Sequence, residues 1–462
     1  MPDEKSIADA FRRWGYLQAD LDGLGRLPAI MHPDIEEAAK GKGAAAVAER
    51  FRTIYSGPIG VEFMHLRRRE VTEWVAARME REPRVPDRPA TLRRLAQAEL
   101  LEQFMHRRWV GSKRYSLEGS ASVLVAIDNV LDEAASAEVA LIAMSHRGRL
   151  NVVVNVVGRA PGEVFARFEE GDPRAFLGGG DVRYHLGATG EYRTPSGRVL
   201  RLHLVSNPSH LEAVDPVMMG RARARQDRIG PEGREKVLPI CLHGDAAFAG
   251  QGIVAETLNL DLLPGYQIGG TVHIIVNNLI GFTTAHGALH GTRFSSDAAR
   301  RLDVPIFHVN GLEPEAVARV GRIAAEYRER FRTDVVVDVI GFRRYGHSEV
   351  DDPTVTQPRR YAIIKDRKPL YQIYAEQIGV NPAKEAEHIQ QELLDAQKTA
   401  TKASEIPKLT ELPEYWDNYK GCEFDPADEV KTGLSAQRVD EIAKQLTTVP
   451  AEFHLHPKVK KL

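Results

Sequence analysis

Val237-Leu238-Pro239-Ile240-Cys241-Leu242, followed by His243-Gly244-Asp245, and Thr271-Val272-His273-Ile274-Ile275-Val276, followed by Asn277-Asn278, decide the fold. Each is a short apolar run that ends in polar residues. Runs of this kind read as neighbouring buried parallel strands, because a strand covered on both faces is apolar throughout. The stretch between them then reads as the crossover helix, expected over Gly252 to Asn259. In open α/β sheets ligands sit beyond the carboxyl ends of the strands. The two polar ends therefore mark the first place to look for chemistry.

Working outward, further strands are expected at Glu138 to Met144, Leu200 to Val205, Ile306 to Val309 and Val335 to Ile340. Helical stretches separate the later ones at Asp297 to Arg301 and Pro314 to Arg330, and Val123 to Ile127 belongs to an apolar helix. This alternation predicts an α/β fold with a doubly wound, mostly parallel sheet, preceded by a helical region. Residues 1–110 are charged, with helical periodicity over Glu70 to Arg81 and Ala90 to Phe104. The expected organisation is a helical N-terminal region (1–110), an α/β domain (111–360) and a helical linker (361–462).

Composition narrows the class of protein. The 462 residues are 43% hydrophobic and 27% charged, as in ordinary soluble proteins. A formal net charge of -2 offers no bulk attraction to nucleic acid or an anionic membrane. The basic runs Arg67-Arg68-Arg69 and Lys458, Lys460, Lys461 read as solvated faces or chain ends. Two cysteines make neither a disulfide framework nor a zinc-ligand set, which fits a reducing, cytoplasmic setting. No transmembrane-length apolar run and no signal-peptide pattern occur.

Between the two deciding strands, Gly244 to Gly252 crowds small residues into a strand-to-helix turn, where backbone N–H groups can approach an anion. Asp245 on one strand end, Asn278 on the next and the backbone carbonyl of Ile280 suit an octahedral, oxygen-loving cation that carries a diphosphate. Either dipeptide alone would be only a turn or a strand end. His203, His243, His273 and His308 lie within or beside apolar runs and read as structural. No His-Glu-x-x-His or Cys-x-x-Cys pattern supports catalytic zinc. Gly178-Gly179-Gly180 matches no phosphate loop and reads as a flexible turn.

The pair Gly244-Asp245 and Asn278 resembles the thiamine diphosphate signature of transketolase-like enzymes. With Ala246 in the third position, the chain resembles more closely the decarboxylating components of 2-oxoglutarate dehydrogenases, whose motif reads Gly-Asp-Ala. The resemblance runs nearly end to end. It is carried by Gly57-Pro58-Ile59-Gly60, Lys113 to Gly119, Ser145-His146-Arg147-Gly148-Arg149-Leu150-Asn151, Gly180 to Gly187, Asn207 to Glu212, Asn277 to Thr284, Pro305 to Asn310, Arg343 to His347 and Thr356-Gln357-Pro358.

That family implies thiamine diphosphate and Mg2+ as cofactors, with Asp245, Asn278 and Ile280 at the metal. It implies Arg147, Leu211, Asp245, Ala246, Ala247 and Asn278 against the cofactor. His185, Ser209, His210 and Arg147 would bind substrate, with His185 and His210 catalytic. Histidine suits this work because modest shifts carry its pKa across neutrality. His347 has two readings, one beside the cofactor crevice and one as a packing or capping residue. The implied reaction is oxidative decarboxylation of 2-oxoglutarate with succinyl transfer to a lipoyl-bearing dihydrolipoamide succinyltransferase, in a homodimer. The alternatives are a 2-oxoadipate dehydrogenase, a 2-oxoglutarate decarboxylase, or an inactive fragment that serves as a binding module.

Two departures qualify the resemblance. In the segment Ala285 to Asp297, Phe294-Ser295-Ser296 and His290 stand where the family carries other residues. Family chains also continue into a pyrimidine-binding half, so the expectation is one half of a site, with no turnover by this chain alone.

Overall fold

The computed structural model describes residues 3–40, 43–169, 182–401, 408–412, 416–417 and 431–461. They fall into two compact units, Met1–Glu411 and Leu412–Leu462. Ten strands occur among the described residues: β1 (Ile59–Glu62), β2 (Val139–Met144), β3 (Ala188–Arg193), β4 (Val199–Leu204), β5 (Val237–Gly244), β6 (Val272–Asn277), β7 (Ile280–Gly281), β8 (Thr284–Ala285), β9 (Ile306–Asn310) and β10 (Val335–Ile340). Eight form one sheet in the order β1-β9-β10-β6-β5-β2-β4-β3, and β7 pairs with β8 alone.

The deciding strands are neighbours, as their patterns predict. β5 and β6 run parallel, with Ile240 opposite Val272 and Gly244 opposite Val276. From β9 through β4 every pairing is parallel. The edges are antiparallel, with β1 on β9 and β3 on β4. Strand β2 shows why its run reads as continuously apolar. Ala140, Ile142 and Met144 join one core cluster, whereas Val139, Leu141 and Ala143 join another. Side chains alternate across a strand, so both faces of the sheet are covered and the fold is doubly wound.

On one face the helices Val123–Glu133 and Pro314–Phe331 pack together and share the larger cluster. The other face is closed by helices Val214–Ile229 and Gly252–Leu258, with a 3-10 turn at Ser295–Ala299 where a helix is expected. The large core draws on residues from Ile7 to Leu409, so it takes side chains from both sides of residue 110. The region read as helical also supplies strand β1. The turn expected at Gly244 to Gly252 is itself mostly helical, because Asp245–Gly250 forms a short helix.

In the second unit, helix Ala436–Thr447 starts at Ser435, whose hydroxyl accepts the Arg438 N–H. No helix of the described residues is long and apolar enough to cross a membrane. The triple glycine 178–180 lies outside the described residues.

Candidate functional site

The chain reverses direction across the sheet between β2 and β5. From β2 it crosses to β4 on one side, and from β5 to β6 on the other. Loops that leave such a switch point diverge and open a crevice at the carboxyl ends. A cleft of about 270 Å3 lies there, lined by Ser145-His146-Arg147 after β2, Gly244 to Ala247 after β5, Asn278 and Ile280 after β6, and Arg343 and His347 after β10. Arg147, Leu211, Asp245, Ala246, Ala247, Asn278 and Ile280 thus share one cavity.

Among the described residues, two oxygens in it lack partners: Oδ2 of Asp245 and Oδ1 of Asn278 are buried and accept no hydrogen bond. Burial pushes the Asp245 carboxyl up to about 7, while the Ala246 N–H and the nearby Arg147 pull the other way. Unpaired buried oxygens are costly in a folded chain. A hard cation between them would satisfy both, so the residues present fit the implied metal.

The loop that carries Asn278 is tightly held. Arg26 donates to the Asn278 carbonyl at 3.0 Å and to the Gly341 carbonyl at 2.6 Å, while Asp22 holds the same guanidinium at 2.6 Å. Arg360 donates to the Leu279 carbonyl at 3.1 Å. Leu279 and Phe282 adopt left-handed φ values of 56° and 54°, and Glu212, beside Leu211, has 68°. Three of the four non-glycine residues of this kind among the described residues therefore sit in loops at the cleft, where strain commonly marks function. Gly281 must be glycine. A Cβ there would lie 2.8 Å from the Ala246 Cβ and 2.4 Å from Leu289.

The opposite wall is basic and aromatic. Arg147 donates to the Ser116 and His347 carbonyls, each at 2.9 Å, and burial followed by repulsion from Arg343 lowers its pKa to about 10, so it stays charged at neutral pH. His347 contacts the rings of His146 (5.2 Å) and Phe282 (5.0 Å) edge-on. Burial and the nearby Arg147 and Arg343 lower its pKa to about 4, which keeps the imidazole neutral. Of its two readings, the crevice position agrees with this geometry.

Of the expected substrate residues, Arg147 lines the cleft and the other three do not. Nε2 of His185 and Oγ of Ser209 are 3.3 Å apart, but neither they nor His210 line the cleft. Ser209 and His210 are exposed. His185 stands just before β3, and Ser209 and His210 follow β4 in the same loop that brings Leu211 into the cleft.

His243, which also lines the cleft, His273 and His308 are buried and hydrogen-bonded, and His203 is half-buried. His243 Nδ1 lies 2.6 Å from Glu212, and its Nε2 lies 2.9 Å from His273 Nδ1. Burial raises the Glu212 and Asp215 carboxyls to about 7 and about 8. Atoms of Cys241, His243 and His273 also come within 4.8 Å of one another, a cluster with no motif in the sequence. In the exchanged segment, His290 bonds to the Thr292 carbonyl at 2.9 Å within its own loop, whereas Leu289 reaches the cleft. Sequence reasoning singled out neither Leu289 nor the roles of Arg26 and Arg360. Arg343 stood only within a matched block.

Residues 93–411 match the family model described as the dehydrogenase E1 component. The multifunctional 2-oxoglutarate metabolism enzyme of Mycolicibacterium vanbaalenii is 38% identical over 489 aligned positions, which cover 98% of this chain and 39% of its own. The protein of the same description from Mycobacterium sp. strain JLS is 39% identical over 488 positions, covering 98% and 38%. This chain thus spans less than two fifths of the length of these curated relatives. With the sheet, the crevice and this match over most of its length, the chain belongs to the dehydrogenase E1 component family, whose members depend on thiamine diphosphate.

Proposed function

We propose that this chain holds the diphosphate and magnesium end of a thiamine diphosphate site that decarboxylates 2-oxoglutarate. The carrying observation is the pair of buried, unpartnered oxygens of Asp245 and Asn278 at the ends of adjacent parallel strands. Ile280 in the same wall supplies the third expected ligand from its carbonyl. When bound, thiamine diphosphate supplies the electron sink for decarboxylation. The chain's own share is to bind and orient. Asp245 and Asn278 hold the cation, and Ala246 and Ala247 keep the turn narrow enough for a diphosphate. Arg147 keeps a positive charge facing the cleft. The names of the two relatives, which span most of this chain, support 2-oxoglutarate as the substrate.

Oxidative transfer of a succinyl group to a lipoyl-bearing dihydrolipoamide succinyltransferase, a homodimeric assembly and a cytoplasmic location belong to the same proposal. So do the roles of His185, Ser209 and His210 toward substrate, and the contact between His185 and Ser209 supports the first two. Their place outside the cleft wall argues that they meet the distal end of a substrate rather than the diphosphate.

Calorimetry of thiamine diphosphate binding with and without MgCl2 tests the reading. Wild type should bind in a magnesium-dependent way, and Asp245→Ala should lose about a hundredfold in affinity or more. Equal binding by both proteins would overturn the assignment.

A further inference from the structure

Behind the loop that carries Asn278, a file of polar side chains crosses four neighbouring strands. Asn277 on β6 donates through Nδ2 to Oδ1 of Asp338 on β10, at 2.9 Å. Oδ2 of Asp338 lies 3.0 Å from Nδ1 of His308 on β9. Nε2 of His308 lies 2.9 Å from Oε1 of Glu62 on β1, whose other oxygen is 3.3 Å from Arg300. Ser296 Oγ donates to Asp338 at 3.4 Å, and Phe294 stacks on His308 with ring centroids 3.9 Å apart. The exchanged residues of the 285–297 segment thus pack against this file. Asn277, Asp338, His308 and Glu62 are all at most 3% exposed.

Such a file is expensive. Two carboxylates and an imidazole withdrawn from water cost several kcal/mol before pairing, and apolar side chains of similar volume would pack a sheet face as well. Indeed Ile275, Ile306 and Val336, on the same face, do so. The file has a visible consequence at its β6 end. Oδ1 of Asn277 accepts the Leu279 N–H at 3.1 Å, across the residue whose φ is 56°. A branched side chain in that conformation costs on the order of 1 kcal/mol and needs surroundings that impose it. With Asp338 holding its Nδ2, the Asn277 amide has one orientation, and its oxygen faces Leu279. The left-handed turn at Leu279 in turn separates Asn278 from Ile280 and puts both in the cleft wall.

We infer that Asp338, backed by His308 and Glu62, is a positioning residue for the cation ligands. It acts through Asn277 on the Leu279 turn, and neither Asp338, His308 nor Glu62 lines the cleft. The inference rests on the proposed cation site for its function, while the effect on the loop stands apart from any ligand.

The experiment uses the full chain and two readouts. Hydrogen–deuterium exchange of the 277–281 backbone is measured without ligand, and magnesium-dependent binding of thiamine diphosphate is measured alongside. Asp338→Ala should speed exchange in that segment roughly tenfold while amides of the other strands stay protected. It should also weaken magnesium-dependent binding roughly 10–100-fold. Asp338→Asn, which can still accept from Asn277, should restore most of both. Asp128→Asn, which breaks the Arg94–Asp128 pair in the helical layer, should move neither. If Asp338→Ala does not fold, His308→Gln should show the faster local exchange. Unchanged exchange at 277–281, or exchange that rises equally throughout the sheet or in Asp128→Asn, would overturn the inference. A loop that loosens as expected in a protein whose wild type ignores thiamine diphosphate would sink the cation-site reading and leave the positioning effect standing.

Discussion

Arg149 is fully buried, and among the described residues no carboxylate forms an ion pair with it. Its guanidinium donates to the carbonyls of Met144 (2.9 Å), Leu186 (2.8 and 3.2 Å) and Val205 (2.6 Å). It therefore ties the ends of β2 and β4 to the backbone next to His185. Burial lowers its pKa to about 9, which leaves it charged at neutral pH. Arg149→Leu would strip three buried carbonyls of a charged donor, at roughly 1–3 kcal/mol each. Denaturant melts should show a loss of at least about 3 kcal/mol, and Lys, lacking the planar fork, should not restore it. A variant as stable as wild type would contradict this role. At the residue scale the sequence was legible where chemistry is written in side-chain type. Asp245 and Asn278 stood out because carboxylate and amide at strand ends are natural ligands. Arg149 did not, because nothing in its neighbours reveals which distant carbonyls it will meet.

Among elements, the helix pair Val123–Glu133 and Pro314–Phe331 covers the β10 side of the sheet. Their approach is close because Gly321 faces Ala126. A Cβ at 321 would lie 2.8 Å from the Ala126 carbonyl oxygen and 3.2 Å from the Asn129 Cβ. Gly321→Val should force the helices apart and cost roughly 1–3 kcal/mol, measured by denaturant melts. An unchanged midpoint would mean that the contact is looser than its geometry. Elements with strong periodicity were readable in advance. Pro314 marks the start of the second helix, and Arg332, left-handed at φ 54°, ends it. The edge strands β1 and β3 were not readable. β1 has four residues, and β3 is only partly buried, with Thr189, Gly190, Glu191 and Arg193 among its six residues. Each is a strand because a neighbour in the sheet offers a free edge, and such pairing leaves no local pattern.

Several titratable groups of the molecule are buried, His308, Glu118 and Asp215 among them, and their shifts shape its pH response. Burial opposes charge on His308, but its bonds to Asp338 and Glu62 prevail and raise it to about 9. Burial likewise raises Glu118 and Asp215 to about 8. For a group whose folded pKa exceeds its unfolded value, the stabilising contribution is complete below the unfolded pKa. It then disappears as pH climbs through the folded one. For His308 that window runs from about 6.5 to about 9 and is worth on the order of 3 kcal/mol. Melting temperature should therefore fall between pH 7 and pH 9.5, and His308→Gln should show a shallower fall. Identical slopes for the two proteins would refute the assignment of this response to His308.

What the sequence determined by itself was the class of fold and the place of Asp245 and Asn278 at the ends of adjacent strands. Apolar runs that alternate with helical stretches form buried parallel strands, and the residues just past them stand at the sheet's carboxyl edge. The tertiary structure alone decided which strand ends converge. Arg147, Asp245, Asn278 and His347 share one cleft because the strand order reverses between β2 and β5, and in the loop after β4 the fold decides that Leu211 lines that cleft while Ser209 and His210 do not. It alone also joined Glu62 to Asn277. Four residues far apart in the chain form a hydrogen-bonded file only once β1, β9, β10 and β6 lie side by side, and hydrogen bonds depend on distances that no local pattern encodes.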